Sequence, residues 1–225
     1  MSEPPAPARA KQGGVVLLHG VSRTARSFAR MQAAVEASGF TALNLDYPSR
    51  RKSLEALAEE IHPDIERFAG GIEGSMHFVG HSMGGLLTRV YLARHRPIRL
   101  GRVVMLGTPN GGSEIADRLK NFLPYRLFFG PAGQQLGTQR DTALQALFPP
   151  ADYPVGIIAG NRSIYPLSSL FLPKPHDGRV SVANTRLDGM VDHIVLAAPH
   201  PLLPENDIAI EATIAFLRDG KFGYR

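Results

Sequence analysis

The sequence lacks cysteine and tryptophan altogether among its 225 residues. Without cysteine the chain has no disulfide, no thiolate nucleophile and no metal site with sulfur ligands. No stretch approaches the ~18 consecutive apolar residues that a membrane-spanning helix needs. The opening residues also lack the apolar segment behind a basic start that marks a secretory signal. We therefore expect a cytoplasmic protein.

Charge is also sparse, and it is only mildly one-sided. The chain has 25 Lys and Arg against 20 Asp and Glu, a net charge of +5. The cations are scattered apart from Arg50-Arg51-Lys52, a run that is typical of a solvated turn. Since nucleic-acid binding would rest on this surplus alone, no nucleic-acid partner is expected.

The remaining composition is that of a globular protein, with 44% hydrophobic and 20% charged residues. Residues 1–12 are rich in proline and alanine and are predicted to form a disordered tail. Residues 13–225 fit one domain of ordinary size.

Apolar runs alternate with segments of helical spacing along most of the chain. Such alternation predicts an α/β fold, a mostly parallel six-stranded sheet with helices on both faces. In these sheets ligands bind beyond the carboxyl ends of the strands. The predicted strands are 15–18, 40–45, 76–80, 102–106, 155–159 and 193–197; the predicted helices are 27–38, 53–68 (with Ser53 as cap), 83–95 and 205–218.

The third predicted strand ends in Gly80-His81-Ser82-Met83-Gly84, a G-x-S-x-G pattern. A hydroxyl is a poor nucleophile, so it must be exposed and served by a base. A sharp strand-to-helix turn achieves this, and flanking glycines let neighbouring backbone approach closely. The pattern is common by chance, but a strand before it and a helix after it favour Ser82 as a nucleophile.

A tetrahedral intermediate needs two N–H donors for its oxyanion. At such a turn one comes from the residue after the nucleophile, here Met83. The second comes from the loop after the first strand, where Val21 follows His19-Gly20. We expect His19 to brace this loop by hydrogen bonding rather than to act as a base.

The acid and base are predicted from their positions along the chain. Asp177 lies in the loop between the fifth and sixth strands, whereas Asp188 and Asp192 fall near the start of the last strand. His193 begins that strand, and His200 follows it at the edge where Ser82 lies. Asp177 would orient the imidazole of His200. His81 is interpreted as a packing or positioning residue, and no histidine pair has the spacing of a zinc site.

Together these segments resemble bacterial lipases and esterases of the α/β-hydrolase superfamily. The resemblance rests on His19-Gly20, Gly-His-Ser82-Met-Gly-Gly, Leu106-Gly-Thr-Pro-Asn-Gly-Gly-Ser-Glu114, Asp177-Gly-Arg-Val-Ser-Val182 and His200. It spans residues 13 to 220 approximately. It implies a catalytic triad in the chain order Ser82, Asp177, His200.

Residues 109–150 interrupt the alternation. They contain a dense apolar cluster whose members are candidate substrate-binding residues, and they stand where related lipases build a cap. A lid over the site and a core helix packed on the sheet remain equally open, since both need apolar faces. The candidates are Phe122, Leu123, Leu127, Phe128 and Phe129.

The sequence thus predicts a serine carboxylic-ester hydrolase acting on esters of apolar acyl groups, without metal or cofactor. Its substrate would be a small-molecule or lipid ester, and a transient contact with a membrane surface stays open. An acyltransferase or thioesterase would use the same triad. A non-catalytic binding protein is disfavoured because no triad member is missing. The sequence does not indicate an oligomeric state.

Overall fold

The structure is a computed structural model that describes residues 12–119, 121–166 and 168–223. Of the tail predicted over residues 1–12, residues 1–11 lie outside this part of the chain. None of the helices within the described residues is long and apolar enough to cross a membrane.

Six parallel strands form one sheet in the order β2-β1-β3-β4-β5-β6, which confirms the predicted α/β fold. Each predicted strand exists, with ends shifted by at most two residues. Because all strands point the same way, their carboxyl ends share one edge. The strands are β1 (Gly14–Leu18), β2 (Thr41–Leu45), β3 (Met76–His81), β4 (Leu100–Leu106), β5 (Val155–Gly160) and β6 (Asp192–Leu196).

Helices connect these strands and cover both faces of the sheet. The α-helices are α1 (Ala29–Ala37), α2 (Leu54–Gly70), α3 (Met83–Arg94), α4 (Glu114–Leu119), α5 (Leu123–Gln134), α6 (Thr142–Ala146), α7 (Val182–Thr185) and α8 (Asp207–Asp219). Short 3-10 turns lie at Ala25–Phe28, Ser168–Leu170 and His200–Glu205. Ser53 caps α2 as predicted, because its hydroxyl accepts a hydrogen bond from the Ala56 N–H at 3.3 Å.

Two apolar cores lie on opposite faces of the sheet. One packs α2 and α3 against side chains such as Phe78 and Met105. The other packs α1 and α8 against Val79 and Val104. The side chains of neighbouring residues in a strand point to opposite faces, so each buried strand contributes to both cores.

The segment 109–150, which has no clean period in the sequence, folds as three short helices. Helix α5 is broken at Gly130, whose φ is +64°, and Pro131 follows. A Cβ at position 130 would lie 1.7 Å from the Arg50 carbonyl oxygen, so only glycine fits there. This contact packs α5 onto the loop that follows β2.

His77 is a buried titratable residue of β3, far from the carboxyl edge. Its Nδ1 accepts a hydrogen bond from the Arg102 backbone N–H at 2.9 Å. Burial, and secondarily the charge of Arg102, lowers the pKa of His77 to about 4. The folded protein therefore keeps this ring neutral at pH values where an unfolded chain would protonate it.

The free energy of unfolding should fall as the pH is lowered from 6.5 towards 4. In that window the unfolded state binds a proton at position 77 that the folded state excludes, which costs up to about 3 kcal/mol. His77→Asn keeps an acceptor near Nδ1 and removes the titration, so its pH slope should be smaller. Urea unfolding at pH 4.5, 5.5, 6.5 and 7.5 measures both slopes; equal slopes below pH 6.5 would contradict the assignment.

Candidate active site

Ser82 lies on the turn between β3 and α3, with φ +55° and ψ −122°. This region costs a non-glycine residue of the order of 1–3 kcal/mol, and such strain concentrates at functional sites. Two backbone hydrogen bonds hold the turn: the Ser82 N–H donates to the Leu106 carbonyl at 2.8 Å, and the Gly85 N–H donates to the Ser82 carbonyl at 3.0 Å. The geometry is that of a nucleophile elbow.

The glycines around Ser82 are required by close packing. A Cβ on Gly84 would lie 2.0 Å from the Leu18 carbonyl oxygen, and one on Gly85 would lie 2.0 Å from the Thr108 hydroxyl. The first turn of α3 therefore presses directly on the carboxyl end of β1 and on the loop after β4. This contact fixes where Ser82 emerges.

His200 begins the 3-10 turn after β6, at the same edge of the sheet. Its Nε2 lies 2.9 Å from the Ser82 hydroxyl oxygen. His193, the alternative base, lies in β6, and its Nε2 contacts the Thr185 hydroxyl at 3.1 Å. The structure thus brings His200 to Ser82.

Asp177 is fully buried beside His200. One carboxylate oxygen lies 2.6 Å from His200 Nδ1. The other accepts hydrogen bonds from the backbone N–H groups of Arg179 at 2.9 Å and Val180 at 2.8 Å. The His200 N–H also donates to the Asp177 carbonyl at 3.0 Å. A buried carboxylate needs such partners, and here both oxygens have them.

These contacts fix the hydrogen-bonding pattern of His200. Ionised Asp177 is an acceptor only, so Nδ1 carries the proton that is donated to it. Nε2 of the neutral ring is then free to accept the Ser82 hydroxyl proton. Such an arrangement can raise the nucleophilicity of a serine.

His81 supports the loop that carries His200. It is buried, and its Nε2 donates to the His200 carbonyl at 3.0 Å. Its pKa lies well below the ordinary value, first because of burial, then because of His200, and to a smaller extent because of Arg23. His81 is therefore a neutral donor that holds the His200 loop, which matches the positioning alternative of the sequence prediction.

The loop after β1 passes directly beneath Ser82. A Cβ on Gly20 would lie 3.2 Å from the Ser82 Cβ. His19 is buried, and its ring stacks on the ring of Tyr47 with 4.1 Å between the ring centres. Its Nδ1 lies 2.8 Å from the Gly20 carbonyl oxygen. The expectation that His19 braces this loop is thereby met.

Of the predicted oxyanion donors, Val21 lines the same cavity as Ser82, and Met83 is the first residue of α3.

A cavity of about 290 Å³ opens over Ser82 and His200. Its apolar wall comes from the segment 109–150, with these residues facing the cavity: Ile115, Ala116, Leu119, Phe128, Phe129 and Leu136. Two arginines, Arg23 and Arg179, also line it, and no acidic side chain does so among the described residues.

The predicted substrate-binding residues divide into two groups. Phe128 and Phe129 line the cavity. Phe122, Leu123 and Leu127 are 59%, 62% and 70% exposed and do not reach it. Since α5 is amphipathic only in part, the sequence did not reveal which apolar side chains turn inward.

Sequence reasoning missed one close contact of the site. Gly107 follows β4 with φ +56°, and a Cβ there would lie 3.1 Å from both the Asp177 carboxylate and His200 Nδ1. Glycine is required because the backbone passes beside the acid–base pair. The glycine is visible in the sequence motif Leu106-Gly-Thr-Pro, but the close contacts that explain it are visible only in the structure.

Several solved structures of known proteins share the fold of this chain. A lipase from Bacillus licheniformis in its mature form is 19% identical over 97% of this chain and 95% of that chain, with a TM-score of 0.67. A metagenomic carboxyl esterase is 18% identical over 90% of this chain and 68% of its own length, with a TM-score of 0.70. A thioesterase from the prodiginine pathway of Streptomyces coelicolor is 15% identical over 98% and 89% of the two chains, with a TM-score of 0.58.

At these identities the solved structures establish a shared fold and nothing finer. The sequence profile of the alpha/beta hydrolase family matches residues 15–213, most of the chain. The protein therefore belongs to the alpha/beta hydrolase family, as the resemblance to bacterial lipases and esterases implies.

Proposed function

We propose that the protein is a serine carboxylic-ester hydrolase whose catalytic residues are Ser82, His200 and Asp177. The observation that carries the proposal is one continuous hydrogen-bonded chain. It runs from the Ser82 hydroxyl to His200 at 2.9 Å and from His200 to Asp177 at 2.6 Å, and Ser82 and His200 line a cavity with an apolar wall.

In the first half-reaction the Ser82 oxygen attacks the ester carbonyl while His200 takes the hydroxyl proton. The bond between the acyl carbon and the leaving oxygen then breaks, and His200 returns the proton to that oxygen. In the second half-reaction water attacks the acyl-enzyme in the same way. Asp177 keeps the ring oriented and stabilises the imidazolium form.

The backbone N–H groups of Val21 and Met83 are proposed to bind the oxyanion. Val21 follows Gly20, which packs against Ser82, and Met83 is the first residue of α3. Both N–H groups therefore belong to segments whose positions are fixed by packing. Preorganised donors stabilise the transition state more than the substrate, because they pay no reorganisation cost during the reaction.

The segment 109–150 is proposed to form a lid-like cap that binds the acyl chain. Apolar residues of this segment line the cavity, and an apolar wall suits the acyl chain of an ester. We accordingly propose apolar acyl groups as the acid portion of the substrate.

Ser82→Ala should abolish hydrolysis of p-nitrophenyl butyrate, with a fall of about a thousandfold or more in kcat, because the variant has no nucleophile. Absorbance at 400 nm measures the rate, and circular dichroism checks that the fold is kept. A fluorophosphonate probe should label the wild-type protein on the peptide that contains Ser82. Activity that survives the substitution would remove the proposal.

Asp177→Asn should lower kcat by about 10³–10⁴-fold, because an amide no longer fixes the proton on His200 Nδ1. The matched control is Asp188→Asn, which changes an exposed carboxylate in the turn before β6. The control should keep the wild-type rate. A normal rate for Asp177→Asn, or an equal loss in the control, would contradict the assigned role.

Ala116→Leu should shift the acyl preference towards shorter chains. Ala116 is buried and lines the cavity, so a larger side chain there removes volume. We expect the ratio of kcat/KM for the octanoate ester to kcat/KM for the butyrate ester to fall by about tenfold. A change of this size is typical when a hydrophobic pocket loses room for one or two methylene groups. Ala146→Leu, an exposed position of α6, is the control. An unchanged ratio for Ala116→Leu would show that acyl chains lie elsewhere.

A further inference from the structure

A second, larger depression adjoins the cavity over Ser82 and His200, which we call the active cavity. Its volume is about 800 Å³, and it runs between the loop after β1 and the loop after β2. The two cavities share Ser22, Arg23 and Phe128 as lining residues. We call this depression the arginine groove, because Arg23, Arg50 and Arg51 line it.

The charges of the arginine groove are unbalanced. Arg23 and Arg51 form no ion pair with any residue that the structure describes, and both are exposed. Asp46 also lines the groove, but its carboxylate already accepts the Ala25 N–H at 3.3 Å and lies 3.3 Å from His19 Nε2. Three guanidinium groups thus face one engaged carboxylate.

Specific contacts hold the two loops of the groove together and position Arg50. Ser22 has φ +58°, and its N–H donates to the Ser49 hydroxyl at 3.1 Å, which ties the two loops together. The Arg50 guanidinium lies 4.8 Å above the ring of Phe128 and donates to the Leu127 carbonyl at 3.4 Å. A strained, non-glycine residue next to Arg23 indicates that the surrounding packing dictates this loop.

We propose that the arginine groove binds a phosphate group carried on the leaving-group side of the substrate. The inference rests on the proposed function and narrows its substrate class. The apolar wall from the segment 109–150 takes the acyl chain, so the other side of the scissile ester faces the groove. Arg23, which lines both cavities, meets the phosphate first, with Arg50 and Arg51 further out.

Phosphate suits this site better than a single carboxylate. A guanidinium presents planar, paired N–H donors that match two oxygens of a phosphate at once. A terminal phosphate carries up to two negative charges and three acceptor oxygens, enough to engage more than one arginine. The phosphate is bound and is not transferred; the bond that breaks remains the carboxylic ester.

The test compares matched substrates in the soluble state. Butyrate release is measured from the monobutyrate of glycerol 3-phosphate and from the monobutyrate of glycerol. At low ionic strength we expect kcat/KM for the phosphorylated ester to exceed that for the neutral ester by about tenfold or more. The ratio should fall as salt rises from about 0.05 to 0.5 M, because the arginines are solvent-exposed.

Two double variants identify the groove as the cause. Arg23→Gln combined with Arg51→Gln should bring the ratio close to one. Arg67→Gln combined with Lys221→Gln removes the same charge at the opposite end of the sheet, and it should keep the wild-type ratio. If both double variants lose the preference equally, the effect is one of net charge and the groove is not the site.

A second comparison asks whether the phosphate belongs to a lipid headgroup rather than to a soluble ester. Monomeric dihexanoyl phosphatidylglycerol is compared with dihexanoylglycerol, which has the same acyl chains and no phosphate. An Arg23- and Arg51-dependent preference in either pair supports the proposal and names the source. If neither pair shows this preference, the proposal is overturned.

Failure of this inference is distinguishable from failure of the proposed function. If glycerol monobutyrate is hydrolysed through Ser82 but the phosphorylated ester is not preferred, only the groove assignment fails. Binding provides an independent readout: calorimetry on the Ser82→Ala protein should show tighter binding of the phosphorylated ester than of the neutral one. Equal binding of the two esters would count against the groove even in the absence of turnover.

Discussion

The close approach of α3 to the carboxyl ends of β1 and β4 is the constraint on which the site depends. Gly84 and Gly85 leave no room for a Cβ between the first turn of this helix and its neighbours, Leu18 and Thr108. That contact forces the chain through the strained conformation of Ser82. A bulkier turn would move the hydroxyl away from the edge where His200 lies. Close packing around the turn stabilises this conformation and offsets the strain in the Ser82 backbone.

The site also requires hydrogen-bond partners for the buried carboxylate of Asp177. Asp177 accepts two backbone N–H groups in addition to the imidazole, and its own carbonyl accepts the His200 N–H. The loops that follow β5 and β6 are therefore locked to each other at the acid–base pair. His81 adds a third connection, from the nucleophile turn to the His200 carbonyl. Proposed nucleophile, base and acid thus form one rigid unit.

Much of the framework was predictable from the sequence, for identifiable reasons. Strands buried on both faces, such as β1, were found because they leave an unbroken apolar run, as in Val15–Leu18. The positions of Ser82, Asp177 and His200 followed from chain order, since parallel strands place their carboxyl ends together.

The segment 109–150 could not be predicted in the same way. Its helices are short, and α5 is broken at Gly130, so no period extends far enough to be recognised. The reason for the break is a long-range contact with the Arg50 carbonyl. Phe128 lines the cavity over Ser82 whereas the neighbouring Leu127 is exposed, and no period in the sequence separates the two. Helix α7, a single turn of four residues, was missed because it carries no periodic signal.

The run Arg50-Arg51-Lys52 shows how tertiary contacts change the interpretation of a charge pattern. In the sequence it is a solvated turn, and its residues are indeed exposed. The hydrogen bond from Ser22 to Ser49 and the contact at Gly130 place it beside the active cavity. A cationic groove attracts anionic substrates but disfavours a further positive charge nearby. A base at His200 would have to carry that charge transiently. The buried Asp177 carboxylate in direct contact with it offsets the cost, so the groove and the acid are electrostatically complementary.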